Sequence, residues 1–228
     1  MRFQIGLLLF PDITQLDLTG PYEVFTKFPD TDVHLVWKTL DPVRSAGGMR
    51  LLPTAVFADC PPLDLICVPG GAGMNPLLND EETLDFVRWQ ASGARYVTAV
   101  CTGSLVLGAA GLLAGKRATT HWMSLPMLSA FGCEPVAERV VVDGGTITGG
   151  GVTAGIDFAL TIAGELFGAE TARRIQLAIE YDPRPPYDAG SPARADASLV
   201  AATRKASAAR QAERGAAVER AAARLGRS

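Results

Sequence analysis

Cys101 stands where a strand-length apolar run meets a stretch of small residues, in Tyr96-Val-Thr-Ala-Val-Cys101-Thr-Gly-Ser-Leu-Val-Leu-Gly. A strand that ends on a nucleophile and turns sharply into a helix lifts that side chain out of the sheet, the geometry of a nucleophile elbow. The carboxyl ends of such strands are where α/β folds bind ligands. The positive end of the following helix would favour the thiolate, the nucleophilic form of cysteine. Gly103 leaves room for backbone or substrate to approach closely. The competing reading is an inert buried thiol, since cysteine is among the most buried residue types.

Two further segments carry polar groups to the same edge. Val68-Pro-Gly-Gly-Ala-Gly73 follows a strand-like run. Its bare backbone suits an oxyanion hole built from the amide of Gly70 or Gly71 together with that of Thr102. A phosphate loop is the alternative, but no Gly-Lys-Ser/Thr follows and no GxGxxG is complete. Gln15-Leu-Asp17-Leu-Thr-Gly-Pro-Tyr-Glu23 follows the first strand. Asp17 lies between two leucines, so it either enters a pocket or caps a helix. Glu23 reads as a surface group. Thr148-Gly-Gly-Gly-Val-Thr153, with Gly150 at its centre, reads as a pocket wall ahead of a helix. His121, in Thr119-Thr-His-Trp122, is a candidate pocket residue against a structural role, while His34 alternates within a strand. Cys60, Cys67 and Cys133 lie in apolar surroundings. Phe10, Trp122, Met123 and Tyr181 could line a pocket or belong to the core, and Asp157 has no evident partner. Two histidines and no carboxylate cluster argue against a zinc site, so no metal or other cofactor is expected.

The elements that must position these groups follow from the apolar pattern. Runs at Phe3–Phe10, Val33–Trp37, Leu63–Val68, Tyr96–Val100 and Val140–Val142 have strand length, and runs this apolar suit strands buried on both faces of a parallel sheet. Helices are expected from an Asn79–Glu82 capping box to about Ser92, over Thr102–Leu113 with a stop at Gly115, and over Ala154–Phe167 and Ala169–Tyr181. Strands alternating with helices predict an α/β fold, a mostly parallel sheet sandwiched by helices. Four prolines in 182–192 end the helical pattern. An Ala/Arg-rich helix from about Ser198 to Leu225 follows, its apolar face thin, and it reads as a solvated helix lying on the body or on a partner subunit.

The chain has 228 residues, 48% hydrophobic and 20% charged, with net charge −3. That suits one large domain plus an appendage and is too apolar for disorder. Residues 1–188 carry 13 basic and 21 acidic side chains, a charge of −8. Residues 189–228 carry 8 basic and 3 acidic, a charge of +5. The boundary is therefore drawn at 188/189, between an α/β domain and a linker with a helical tail. This balance gives no case for nucleic acid. Four cysteines without framework spacing do not make a disulfide scaffold. The apolar run that stops at Phe10 is too short to span a membrane and lacks a cleavage site. A cytoplasmic location with free thiols is expected.

Together LDLTGP (16–21), VPGGAG (68–73), AVCTGSLVLGAAGLLAGKRATTHW (99–122) and TGGGVTAGIDFAL (148–160) resemble the ThiJ/PfpI superfamily. Within it the pattern is most similar to the isonitrile hydratases, through the SPA-containing linker (191–193) to the tail's AAARL (221–225). The resemblance implies a class I glutamine amidotransferase-like fold and a homodimer. It also implies hydration of a small-molecule isonitrile by water, through a cysteine thioimidate, to an N-substituted formamide. On the matching positions, Cys101 is the implied nucleophile. Asp17 holds the place of the superfamily's usual glutamate, and Thr102 carries an implicated hydroxyl. Gly70, Gly71, Gly150 and His121 are the expected substrate-binding residues. Thr102 stands where the proteolytic branch has histidine, so a Cys-His peptidase is not implied. A glyoxalase-like cysteine enzyme and a non-catalytic redox sensor are the alternatives. AraC-type regulators share part of the pattern, TTHW included, but the segment after the linker has no paired helix-turn-helix pattern.

Overall fold

The computed structural model describes residues 2–226. Its centre is a seven-stranded sheet. The strands are β1 (Phe3–Leu8), β2 (Thr31–Trp37), β3 (Ala55–Val56), β4 (Leu65–Val68), β5 (Tyr96–Val100), β6 (Val140–Asp143) and β7 (Thr146–Gly149). Their spatial order is β6-β7-β5-β4-β1-β2-β3. All neighbours are parallel except β6 and β7, which form an antiparallel pair at one edge. The central strands are apolar throughout because both faces are covered: every residue of β4 is buried, as are Ile5, Leu7 and Leu8 of β1. The mostly parallel α/β sheet is thus present as expected.

Helices flank it. They are α1 (Gln15–Phe25), α2 (Glu81–Gly93), α3 (Gly103–Ala109), α4 (Ala154–Ala178), α5 (Ala197–Ala206) and α6 (Ala208–Leu225). Helix α1 and the turn that follows it pack on α4 through edge-to-face rings: Phe25 meets Phe158 at 6.3 Å, and Phe28 meets Phe167 at 5.1 Å. Such pairs add roughly 0.5–1.5 kcal/mol each beyond the area they bury. Helix α4 spans both predicted helices of its region. Gly168, at φ 83°, breaks the ladder between them where the expected helices divide.

Several boundaries differ from expectation. Helix α3 stops at Ala109 because Gly111 adopts φ 80° and the Leu112 N–H turns back to the Leu107 carbonyl at 3.0 Å. That six-to-one closure is a Schellman stop, four residues before Gly115. The Asn79–Glu82 capping box does not form. The N-cap of α2 is Asp80, and Asn79 instead donates to the Ala217 carbonyl of the tail at 3.2 Å. Asp157 has partners after all, Arg139 at 2.6 Å and the Tyr181 hydroxyl at 2.8 Å. The tail lies on the body of its own chain. Ala217, Val218 and Ala221 are buried there, and Arg224 reaches the Leu78 and Ala109 carbonyls at 3.1 and 3.3 Å.

Helix α3 can sit this close to β4 only because Gly103 has no side chain: a Cβ there would lie 2.0 Å from the Val68 carbonyl oxygen. Gly103→Ala is expected to cost about 3 kcal/mol or more, because backbone and not a flexible side chain must move. Gly164→Ala, inside α4 with nothing within 4 Å of its Cβ, should instead stabilise by roughly 0.5–1 kcal/mol. Chemical denaturation of the two variants beside the parent checks both signs.

Candidate active site

Cys101 occupies the turn between β5 and α3 with φ 55°, a left-handed conformation rarely adopted by side-chain-bearing residues. The neighbourhood holds it there. Its N–H is shared between the Gly149 and Gly150 carbonyls at 3.0 and 2.9 Å, and the Thr120 hydroxyl donates to its carbonyl at 2.6 Å. Ser104 in turn donates to the Thr119 carbonyl at 2.7 Å, so the Thr119–His121 segment braces the elbow.

Asp17, in the first turn of α1, points inward and is fully buried. The Gly70 N–H donates to its Oδ2 at 3.1 Å. Its other oxygen, Oδ1, has no hydrogen-bond partner among the described residues. The ionisable neighbour acting on this carboxyl is the Cys101 thiol. Burial pushes the Asp17 carboxyl up to about 7, opposed by hydrogen bonds from Cys101 and the Gly70 amide. An unpartnered buried carboxyl oxygen is a place for a proton. Asp17 therefore stays protonated up to about neutral pH.

The same proximity corrects an expectation about the thiol. Burial first, and then the Asp17 charge, push Cys101 far above the ordinary thiol range, against the pull of the Thr102 and Val152 amides. The resting sulfur is a thiol, not the thiolate that a helix terminus alone would favour. Burial also pushes Cys60 up to about 11 and Cys67 to about 12, and neither lines the cavity at Cys101.

The oxyanion hole expected from Gly70 or Gly71 is not open. The Gly70 amide is spent on Asp17, and the Gly71 amide donates to the Thr102 hydroxyl at 3.1 Å. That hydroxyl reaches back to the Gly71 carbonyl at 3.4 Å. The strand–turn contact is tight. A Cβ on Gly70 would lie 2.7 Å from Asp17 Oδ2 and 2.6 Å from the Thr102 nitrogen. Among the described residues, the amides directed at the sulfur are those of Thr102 and Val152.

A cavity of about 190 Å³ opens above Cys101 and Thr102, with Gly71, Ala72, Val152 and Met123 among its walls. This is smaller than the roughly 300 Å³ at which drug-sized sites begin. His121 lines it as expected; burial and the charges of Arg214 and Arg210 hold its imidazole down to about 4, so it is neutral at pH 7. Gly70 and Gly150 stand behind the site, holding Asp17 and the Cys101 backbone, and do not line it. Phe10 is core, and Tyr181 lines a separate groove of about 390 Å³ along α4 that contains no cysteine. The roof was not expected from the sequence: Arg210, Gln211 and Arg214 of α6 close the cavity from above. No group of three or more His, Cys, Asp or Glu side chains among the described residues could hold a metal ion. No described helix is long and apolar enough to cross a membrane.

Known proteins resemble this chain over most or nearly all of its length. An isonitrile hydratase of Pseudomonas putida is 60% identical over 225 residues, which are 99% of this chain and 99% of that protein. The crystal structure of a ThiJ/PfpI family protein from Pseudomonas syringae superposes with a TM-score of 0.93 at 42% identity, covering 96% of this chain and 91% of the other. The transcriptional regulator GbdR of Pseudomonas aeruginosa is 30% identical over 187 residues, 78% of this chain but 50% of the regulator. The model of the DJ-1/PfpI family matches residues 4–165, which hold Asp17, the elbow and the glycine turns. The chain belongs to the DJ-1/PfpI family.

Proposed function

We propose that the protein is a hydro-lyase that adds water to an isonitrile, R–NC, to give the N-substituted formamide R–NH–CHO, with Cys101 as nucleophile. The observation that carries the reading is the buried Cys101–Asp17 pair under a small cavity. The 60% identity to an isonitrile hydratase over nearly the full length of both chains supports the substrate class.

The terminal carbon of an isonitrile accepts both a nucleophile and a proton. With Asp17 ionised and Cys101 a thiol, Asp17 takes the thiol proton as the sulfur attacks that carbon, then delivers it to the same carbon. One S–C and one C–H bond form, and the product is the thioimidate R–N=CH–S–Cys101, a covalent intermediate. Water then adds to the carbon. Asp17 removes a water proton, and the nitrogen gains one. Collapse of the tetrahedral adduct breaks the S–C bond, releases the formamide and returns a proton to the sulfur. Thr102, its hydroxyl held by both polar groups of Gly71, positions the attacking water at the cavity floor. Gly71 and His121 bound the substrate, His121 as a neutral ring. Gly70 and Gly150 act through Asp17 and Cys101.

The active ionisation state holds one proton on the pair. It fills as pH rises past the Asp17 value of about 7 and persists while Cys101 keeps its proton. The reaction consumes only water and the isonitrile, and a homodimer in the cytoplasm completes the reading, on the strength of the family resemblance and the composition.

Cyclohexyl isocyanide incubated with the purified protein should yield the formamide by mass spectrometry. Cys101→Ala should yield none, and Asp17→Asn should lose about 10²–10⁴-fold in kcat. A folded, reduced parent that makes no formamide overturns the reading and favours a redox or glyoxalase role. The pH profile of kcat/KM should rise to a plateau through about pH 7, and Asp17→Asn should flatten that limb. Light scattering should give twice the 24.0 kDa chain mass.

A further inference from the structure

Arg214 is 4% exposed and roofs the cavity above Cys101. Its Nε donates to Asn75 Oδ1 at 3.0 Å, and its Nη1 donates to Ser124 Oγ at 2.9 Å. Two of a guanidinium's five N–H donors are thus spent, both on neutral oxygens. Among the described residues Arg214 makes no ion pair, although Arg139 and Arg224 each have a carboxylate. Burial pushes the guanidinium pKa down; Cys101 below it is the strongest ionisable influence pulling it back up, and Glu213, its exposed neighbour in α6, acts the same way more weakly. Arg210, one helical turn earlier, lines the same cavity, and among the described residues its side chain bonds only to the Ser207 hydroxyl at 3.2 Å. The two cations press on one another, and both act on His121.

A buried charge without a counter-charge costs several kcal/mol unless something compensates it. The chain has carboxylates to spare, yet it places none here. Instead it braces the guanidinium through Asn75 and Ser124, with Gln211 Oε1 accepting from Ser124 Oγ at 3.4 Å. A braced fork with free donors matches the two oxygens of a carboxylate. The same cavity is also lined by Ala72, Val152 and Met123, which suit a short apolar body. The reacting carbon must lie at Cys101 on the floor, so the far end of a small substrate reaches the roof.

On the hydratase reading given above, we infer that the preferred substrate is a small isonitrile bearing a carboxylate, held by Arg214 with support from Arg210. The tail is then part of the substrate site. An arginine serving Cys101 alone would affect neutral and acidic substrates alike, which separates the two roles.

The test compares kcat/KM for isocyanoacetate and its methyl ester, together with calorimetric binding of N-formylglycine, the corresponding acidic product. The parent should favour the acid at least about tenfold, in line with the value of a charge-assisted hydrogen bond. Arg214→Gln should bring that ratio toward one and weaken N-formylglycine binding by a similar factor. Arg210→Gln, on an exposed side chain, should shift the ratio the same way by less. A parent that treats both isonitriles alike overturns the inference, as does an Arg214→Gln variant that slows both equally. If neither these isonitriles nor cyclohexyl isocyanide yield formamide but N-formylglycine binding still depends on Arg214, the hydratase reading falls and the carboxylate site stands. If both measurements are blank, both fall.

Discussion

The site depends on keeping the Asp17 carboxyl out of water and next to a thiol. Leaving a carboxyl in such surroundings is unfavourable unless it holds a proton or gains hydrogen bonds. Here it does some of each: one oxygen takes the Gly70 amide, and the other is left for a proton. This arrangement requires α1, β4 and the elbow to converge. They do so at Gly70, where no side chain intervenes between Asp17 and the Thr102 backbone. Pro21 sits inside α1 and touches the bare face of Gly155 at the start of α4, so the helix that carries Asp17 is seated against the helix behind the elbow.

The elbow is the second part of the same constraint. A cysteine in the left-handed region is strained, and such strain persists only where surrounding contacts over-determine the conformation. Three hydrogen bonds to the Cys101 backbone, two with the Gly149–Gly150 turn and one from Thr120, do this. The thiol therefore approaches the carboxyl through fixed backbone rather than a mobile rotamer. Burial raises both groups above their ordinary values, and the Asp17 charge raises the thiol further, so the ionisation of one depends on that of the other.

Much of the fold was legible in the sequence because strands covered on both faces are apolar without interruption. Their runs stood out at Phe3–Phe10 and Leu63–Val68, and the elbow followed from Cys101 ending such a run. The TITG strand (146–149) was hidden because Gly149 and the glycines on either side of the strand read as loop. Helix α1 was masked by Gly20 and Pro21, of which Pro21 packs against the bare face of Gly155. The Asp17–Cys101 pairing came from family resemblance, since no local spacing joins residues so far apart in the chain. The tail was the least legible part. Arg210 and Arg214 lie on one helix face as solvated charges do, and the partners that reveal Arg214 as buried are the neutral side chains of Asn75 and Ser124, far away in sequence.

That tail begins after an exposed linker containing four prolines, beyond the 4–165 stretch that matches the family model. The nucleophile and its acid lie inside the shared stretch, and the roof over them lies outside it. A change in the last forty residues therefore reaches the cavity only through its roof, while its floor and remaining walls, Cys101, Gly71, His121 and Met123 among them, travel with the shared stretch.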